Sequence, residues 1–111
     1  MTFVEFIEKY KGDNNYRYPH VFISGAITER LETYREYFNK AEKYIKGLGV
    51  KEIYNPSHIN INTPWEVAME QTLAALLDAD CIYVLKNWEN SKGTKMEIEK
   101  AKELGVPVFF E

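Results

Sequence analysis

A chain of 111 residues with 45% hydrophobic and 28% charged residues has the size and balance of one globular domain, which excludes a disordered protein. The net charge of −3 argues against a nucleic acid as the main partner, because a phosphate backbone calls for a basic face. No apolar run approaches the roughly 20 residues that span a bilayer, so we expect no membrane partner. With Cys81 as the single cysteine and no signal-peptide pattern at the start, we expect a cytoplasmic protein with a buried thiol.

Helices and strands are predicted to alternate along the chain. Residues 2–10 carry apolar side chains at helical spacing, and a linker to residue 17 separates this helix from a domain over residues 18–111. The predicted strands are residues 20–24, 50–54, 81–85 and 106–110, and the predicted helices are residues 31–48, a helix that begins at Pro64, and residues 94–104. Alternation with short connections implies a parallel sheet with right-handed crossovers. We therefore predict an α/β, flavodoxin-like or Rossmann-like three-layer fold with a four-stranded parallel sheet in the order 2-1-3-4, preceded by an extra N-terminal helix.

The helix after Pro64 carries an apolar stripe. Five of its residues are expected to face the core: Trp65, Ala68, Met69, Leu73 and Leu76. Thr72 lies beside this stripe, where its hydroxyl either reaches a pocket or bonds back to the helix.

Ligands of such sheets bind beyond the carboxyl ends of the strands, which points to the segments Ser24–Thr28, Asn55–Ile59 and Lys86–Glu97. In the last segment Gly93 permits close approach of a ligand to the backbone, and the following helix start offers free N–H groups to an anion. The spacing of a P-loop is missing, and an ordinary helix entry loop is the competing interpretation.

Glu97 allows two interpretations. Thr94 and Glu97 have the spacing of a capping box, in which the carboxylate only satisfies a backbone donor. Glu97 also shares a helix face with Ala101 and Leu104, which would place a carboxylate at the top of the buried stripe as a nucleophile or base. The pattern leaves both open. His20 and His58 are isolated, so no metal site is predicted.

Three stretches resemble a known family. They are VFISGAIT (Val21–Thr28), the NPSHI that follows the second strand, and DADCIYVLKNWENSKGTKMEIEKAKELGVPVF (Asp78–Phe109). Together they resemble the nucleoside 2-deoxyribosyltransferase superfamily, and most of all its small branch common in phage and prophage genomes. The resemblance covers about residues 18–110, and its most specific part is the W-E-x-S-x-G-x-x-x-E run that ends at Glu97.

The resemblance implies chemistry at an N-glycosidic bond, without a cofactor or metal. A glutamate at the position of Glu97 attacks the anomeric carbon of a 2-deoxyribosyl group, and another base or water resolves the glycosyl ester. Ser91 matches a serine that holds the 5′-phosphate in related hydrolases, so the expected ligand is a nucleoside or nucleotide. Besides Glu97, the residues that we expect to contact it are Phe22, Ser24, Gly25, Ile27, Asn55, Pro56, Thr72, Trp88, Ser91, Gly93 and Thr94.

Two departures from the family pattern favour a second hypothesis. Phe22 replaces a tyrosine that bonds the nucleophile, and Thr72 replaces an aspartate that protonates the leaving base, a role for which Glu66 or Glu70 is a possible substitute. The alternative is a catalytically weakened relative that binds or sequesters a nucleotide. A homo-oligomer is also expected, because the fourth strand leaves a sheet edge that the N-terminal helix would cover or that a second subunit would meet.

Overall fold

The predicted architecture is confirmed by a computed structural model that describes residues 1–111. The four helices are α1 (Phe3–Asp13), α2 (Tyr34–Gly47), α3 (Trp65–Leu76) and α4 (Lys92–Leu104). The four strands are β1 (Val21–Ser24), β2 (Ile53–Tyr54), β3 (Cys81–Val84) and β4 (Val108–Phe110). All neighbouring strands pair in parallel, and the sheet order is β2-β1-β3-β4. The protein is therefore an α/β three-layer fold of the flavodoxin-like type.

Alternation along the strands divides the core into two faces. Val21 and Ile23 point toward α1 and α2, whereas Phe22 points toward α3 and α4. On the α1/α2 face a continuous apolar cluster includes Phe38 and Ile45 from α2. The α3/α4 face has a smaller cluster, because the top of that face is given over to polar side chains.

Helix α1 is part of the core rather than a cover for the sheet edge. Its start is fixed by a capping box in which Thr2 and Glu5 each satisfy the other's backbone N–H. The Phe3 ring lies 4.7 Å from the ring of Tyr83 and 5.7 Å from that of Phe109, so α1 packs across the face of β3 and β4 beside α2. No strand of the chain pairs with the outer edge of β4, and the homo-oligomer remains a prediction.

Several predicted boundaries were wrong by a few residues. Helix α2 begins at Tyr34 rather than residue 31, because residues 28–30 form a 3₁₀ turn and Leu31 is 58% exposed. Helix α4 begins at Lys92 rather than residue 94, because Ser91 caps it. Strand β4 begins only at Val108, since Pro107 has no N–H to donate to the ladder.

The buried thiol is confirmed. Cys81 is fully buried in β3, and burial raises its pKa to about 12. None of the helices is long and apolar enough to cross a lipid bilayer.

Candidate functional site

A cleft opens at the carboxyl edge of the sheet, where such folds bind ligands. Its walls are the loop after β1, the segment after β2, and the first turns of α3 and α4, and its volume is about 260 Å³. Helices α3 and α4 each lead back to the start of the next strand, so their N-termini lie at this edge. Eight of the predicted site residues line the cleft: Gly25, Ile27, Pro56, Thr72, Ser91, Gly93, Thr94 and Glu97.

Four predicted site residues do not line the cleft. Ser24 is fully buried directly beneath the cleft, and its hydroxyl donates a hydrogen bond to the Glu97 carboxylate. Phe22 lies deeper, where its ring stacks on Tyr54 at 5.1 Å. Asn55 caps the turn after β2 by accepting from the Ser57 backbone N–H at 3.0 Å, so its role is to shape that wall.

Trp88 also lies outside the cleft. It belongs to the 3₁₀ turn Trp88–Asn90 after β3, and its ring packs on Phe110 at 5.4 Å. The structure therefore places the Trp88 indole against β4 and not in the cleft, and its contact with a ligand stays a prediction.

Glu97 lies at the bottom of the cleft and is 5% exposed. Because α4 starts two residues earlier than predicted, the residue that caps it is Ser91, whose hydroxyl oxygen accepts from the Thr94 N–H at 3.2 Å. The capping-box interpretation of Glu97 is therefore wrong. Its carboxylate instead accepts a short hydrogen bond from the Ser24 hydroxyl across the gap between α4 and β1. Of its two predicted companions, Ala101 is buried, whereas Leu104 is 40% exposed at the end of the helix.

Burial raises the pKa of the Glu97 carboxyl to about 7, and the hydrogen bonds from Ser24 and Thr72 lower it in part. The single Thr72 proton also has the Met69 carbonyl as an acceptor at 3.2 Å, so donation to Glu97 competes with that bond. No lysine, arginine or histidine forms an ion pair with Glu97. Near neutral pH the site thus holds a carboxyl poised between its acid and carboxylate forms, a state typical of catalytic carboxylates.

The first turn of α4 is suited to an anion. The N–H groups of Lys92 and Gly93 have no acceptor inside the helix, and the helix dipole favours negative charge there. Beside them the Thr94 hydroxyl is buried without any hydrogen-bond partner. Gly93 lies close to α3, since a Cβ there would lie 3.2 Å from the Met69 sulfur and that side chain would have to shift. These groups form an unsatisfied set of donors one turn from Glu97.

The cleft is divided into a polar floor and an apolar mouth. We define the floor as Thr72, Ser91, Thr94 and Glu97, all of which are buried. We define the mouth as Leu31, Ile59, Ile61 and Trp65, which line the same cleft and are at least partly exposed. Sequence reasoning placed only Ile59 at this edge and missed Leu31, Ile61 and Trp65.

Trp65 was assigned to the core and is instead at the cleft. It is the first residue of α3, so it stands at the carboxyl edge of the sheet rather than over the strands. Leu76, at the other end of α3, is fully buried as predicted. The signal that could have found Trp65 was Pro64, which marks the helix start.

Residues 19–110 match a family described as a domain of unknown function, DUF4406. The chain belongs to the DUF4406 family. Neither the curated proteins nor the solved structures contain a match to the chain. The DUF4406 match spans all four strands and helices α2 to α4, and every residue that lines the cleft falls within it.

Helix α1 precedes the DUF4406 match, although its side chains complete the core. Within this DUF4406 domain, no three His, Cys, Asp or Glu side chains lie together in a way that could hold a metal ion.

Proposed function

We propose that the protein acts on the N-glycosidic bond of a 2-deoxynucleoside or its 5′-phosphate, with Glu97 as the nucleophile. The observation that carries this proposal is a buried carboxyl at the cleft floor that has no cationic partner and holds a raised pKa. Burying a carboxyl without a partner lowers the stability of a folded protein, and such groups are found mostly at functional sites. The resemblance around Glu97 supports glycosyl chemistry as its function.

The division of the cleft supports a nucleotide as the ligand. A 5′-phosphate fits the free N–H groups at the start of α4, and the sugar then lies over Glu97, one turn further along the helix. The apolar mouth is left for the base. The volume of about 260 Å³ lies just below the roughly 300–1,000 Å³ of typical small-molecule sites.

The proposed reaction has two steps. A carboxylate oxygen of Glu97 forms a bond to the anomeric carbon while the carbon–nitrogen bond breaks, and the base leaves with the bonding electrons and takes up a proton. Water or a second base then attacks the same carbon and releases Glu97. The hydrogen bond from Ser24 fixes the carboxylate for the first step.

The proton for the leaving base requires a donor. Thr72 cannot serve as an acid, and Glu66 and Glu70 are exposed on α3 and do not line the cleft. Glu29 does line it, with its carboxylate accepting from Thr28 at 2.7 Å. We propose Glu29 or solvent as the proton source.

A second function, nucleotide binding without turnover, is favoured by two side chains. Phe22 has no hydroxyl to offer Glu97, and the Thr72 hydroxyl has the Met69 carbonyl as an acceptor. A missing general acid costs roughly 10²–10⁴ in rate. A protein with these losses would still keep the cleft, the anion-binding helix start and the mouth.

Base release separates the two functions. The wild type is incubated with a pool of 2-deoxynucleosides and their monophosphates, with and without a second free base, beside Glu97→Gln and Glu99→Gln. Glu99 is exposed on the same helix, so its variant is the matched control. We expect release by the wild type and the control, and a loss of roughly a thousandfold or more in Glu97→Gln.

Two further results decide the details. A new nucleoside formed with the second base indicates transfer, whereas sugar product alone indicates hydrolysis. Ligand-induced stabilisation without any release would support the binding function and exclude the reaction.

A further inference from the structure

Met69 is a buried thioether in α3 that the proposed reaction does not use. It is 8% exposed and lines the cleft, whereas the other two methionines, Met1 and Met96, are 72% and 37% exposed and do not line it. Oxidants convert the thioether of methionine to a sulfoxide, which turns a flexible apolar side chain into a polar one. Met69 is therefore the methionine whose oxidation would change the cleft.

Two distances place the Met69 sulfur at the floor of the cleft. It lies 4.0 Å from the Thr72 hydroxyl oxygen and 3.2 Å from the point that a Cβ on Gly93 would occupy. Thr72 belongs to α3 and Gly93 to the first turn of α4, and both residues line the cleft. The sulfur thus lies between the two helices, beside the start of α4.

The hydrogen-bond donors at the start of α4 lack acceptors. The N–H groups of Lys92 and Gly93 have no acceptor inside the helix, and the Thr94 hydroxyl is buried without a partner. A thioether is only a weak acceptor, so the Met69 sulfur does not satisfy them. In an ordinary apolar core a sulfoxide oxygen would be buried without a donor, which lowers stability. At this floor the donors for such an oxygen are already in place.

We propose that Met69 is a site of reversible oxidation by hydrogen peroxide and that its sulfoxide closes the cleft floor to anions. The sulfur attacks one peroxide oxygen, an S–O bond forms as the O–O bond breaks, and the other oxygen leaves as water after proton transfer. The sulfur is oxidised and the peroxide is reduced. The new oxygen accepts hydrogen bonds from the Thr94 hydroxyl and the Gly93 N–H, the groups that an anion would use, until methionine sulfoxide reductase removes it.

Peroxide treatment followed by peptide mapping tests the modification. The folded protein is exposed to increasing hydrogen peroxide, and mass spectrometry measures the oxidised fraction of each methionine. Binding of 2-deoxyribose 5-phosphate is measured on the same samples by calorimetry. We expect the affinity to fall roughly tenfold to a hundredfold as Met69 is oxidised, because hydrogen bonds to the anion are lost. Oxidation of the exposed Met1 and Met96 should leave the affinity unchanged.

Two leucine variants are the matched controls. Leucine and methionine have similar volumes, so Met69→Leu and Met96→Leu should both fold. Peroxide should leave the affinity of Met69→Leu unchanged and should lower that of Met96→Leu as in the wild type. Should Met69→Leu not fold, the mapped wild type still tests the proposal, and methionine sulfoxide reductase with a thiol should restore its affinity.

Thermal unfolding tests the contact between the sulfoxide and Thr94. Oxidation should lower the melting temperature of Thr94→Val by more than that of the wild type, because valine offers no donor to the new oxygen. Equal shifts in the two proteins would overturn this contact. The proposal as a whole is overturned if Met69 stays unoxidised in the folded protein, if its oxidation leaves the affinity unchanged or is not reversed by the reductase, or if the untreated protein does not bind the anion.

The inference does not rest on the glycosyl reaction, and the two proposals fail separately. Anion binding that is lost on oxidation of Met69, in a protein that releases no base, removes the reaction alone. Base release and anion binding that both persist after oxidation of Met69 remove the oxidation site alone.

Discussion

The two faces of the sheet differ at their upper ends. On the α1/α2 face the apolar core continues to the carboxyl edge, where Ile23 and Leu85 are buried among aromatic side chains. On the α3/α4 face the core stops one residue short, and Ser24 and Glu97 take its place. Adjacent residues of β1 thus end in opposite environments.

The difference shows that burial alone does not explain the polar side chains. Ser24 and Ile23 are both fully buried, so an apolar side chain would be equally shielded from water at either position. An unpaired or desolvated polar group costs stability, and such groups persist where a function requires them. At the upper end of the α3/α4 face, substitution of the desolvated carboxyl of Glu97 or the unpaired hydroxyl of Thr94 should raise stability, and substitution of Glu97 should abolish the proposed function.

The largest expected effect on stability belongs to the apolar face. Phe38, on the inward face of α2, is fully buried, and Phe38→Ala should lower the free energy of unfolding by about 3–5 kcal/mol. Urea unfolding monitored by circular dichroism measures it. A loss below about 1 kcal/mol would show that the α1/α2 face is loosely packed and would remove the contrast.

Glu97→Gln, on the other face, should raise the free energy of unfolding at pH 8. Because the folded pKa, about 7, lies above the ordinary value of 4.5, the folded state holds a proton that the unfolded state has released between these values. Wild-type stability should therefore fall by about 3 kcal/mol as the pH rises from about 4.5 to about 7, and stay level above. The variant lacks this decline, so at pH 8 it should be more stable than the wild type by about 2–3 kcal/mol.

Urea unfolding across pH 4.5–8 tests this expectation, with Glu99→Gln as the exposed control. The two curves should converge near pH 4.5. Parallel curves for wild type and Glu97→Gln would mean that Glu97 is ionised in the folded protein at little cost.

The pH dependence of base release should depend on Ser24. The nucleophile must be ionised, so kcat/KM of the wild type should rise with pH around a midpoint near 7. The Ser24 hydroxyl favours the carboxylate form, and Ser24→Ala should move that midpoint to higher pH. A lower rate with an unmoved midpoint would mean that Ser24 only orients the side chain.

Much of this contrast could be predicted from the sequence. Apolar runs such as Cys81–Val84, bounded by glycines, predicted the strands, because these signals are local. The alternation of strands with helices then predicted the parallel sheet. The spacing to Ala101 made an inward position of Glu97 one of two open interpretations, and the observed start of α4 decided between them. The bond to Ser24 could not be predicted, since it joins residues 73 positions apart in the sequence.

The mouth of the cleft was harder to predict for a different reason. A tryptophan at helical spacing has the same pattern whether it faces the core or a cleft, and only the start of α3 distinguishes the two for Trp65. Trp88 lies in a conspicuous motif but in a short turn, whose direction depends on packing against Phe110. Long-range packing therefore decided which tryptophan lines the cleft.

The smallest expected effect distinguishes two threonines of the floor. The Thr94 hydroxyl is buried without a partner, whereas the Thr72 hydroxyl donates to the Met69 carbonyl at 3.2 Å. Valine has nearly the same shape, so Thr94→Val should raise the free energy of unfolding by about 1 kcal/mol and Thr72→Val should lower it by about 1 kcal/mol. Both can be measured by urea unfolding without knowledge of the ligand. If Thr94→Val instead destabilised the protein, its hydroxyl would have a partner in the native state, and the floor would be a satisfied polar network rather than a set of donors held ready for a ligand.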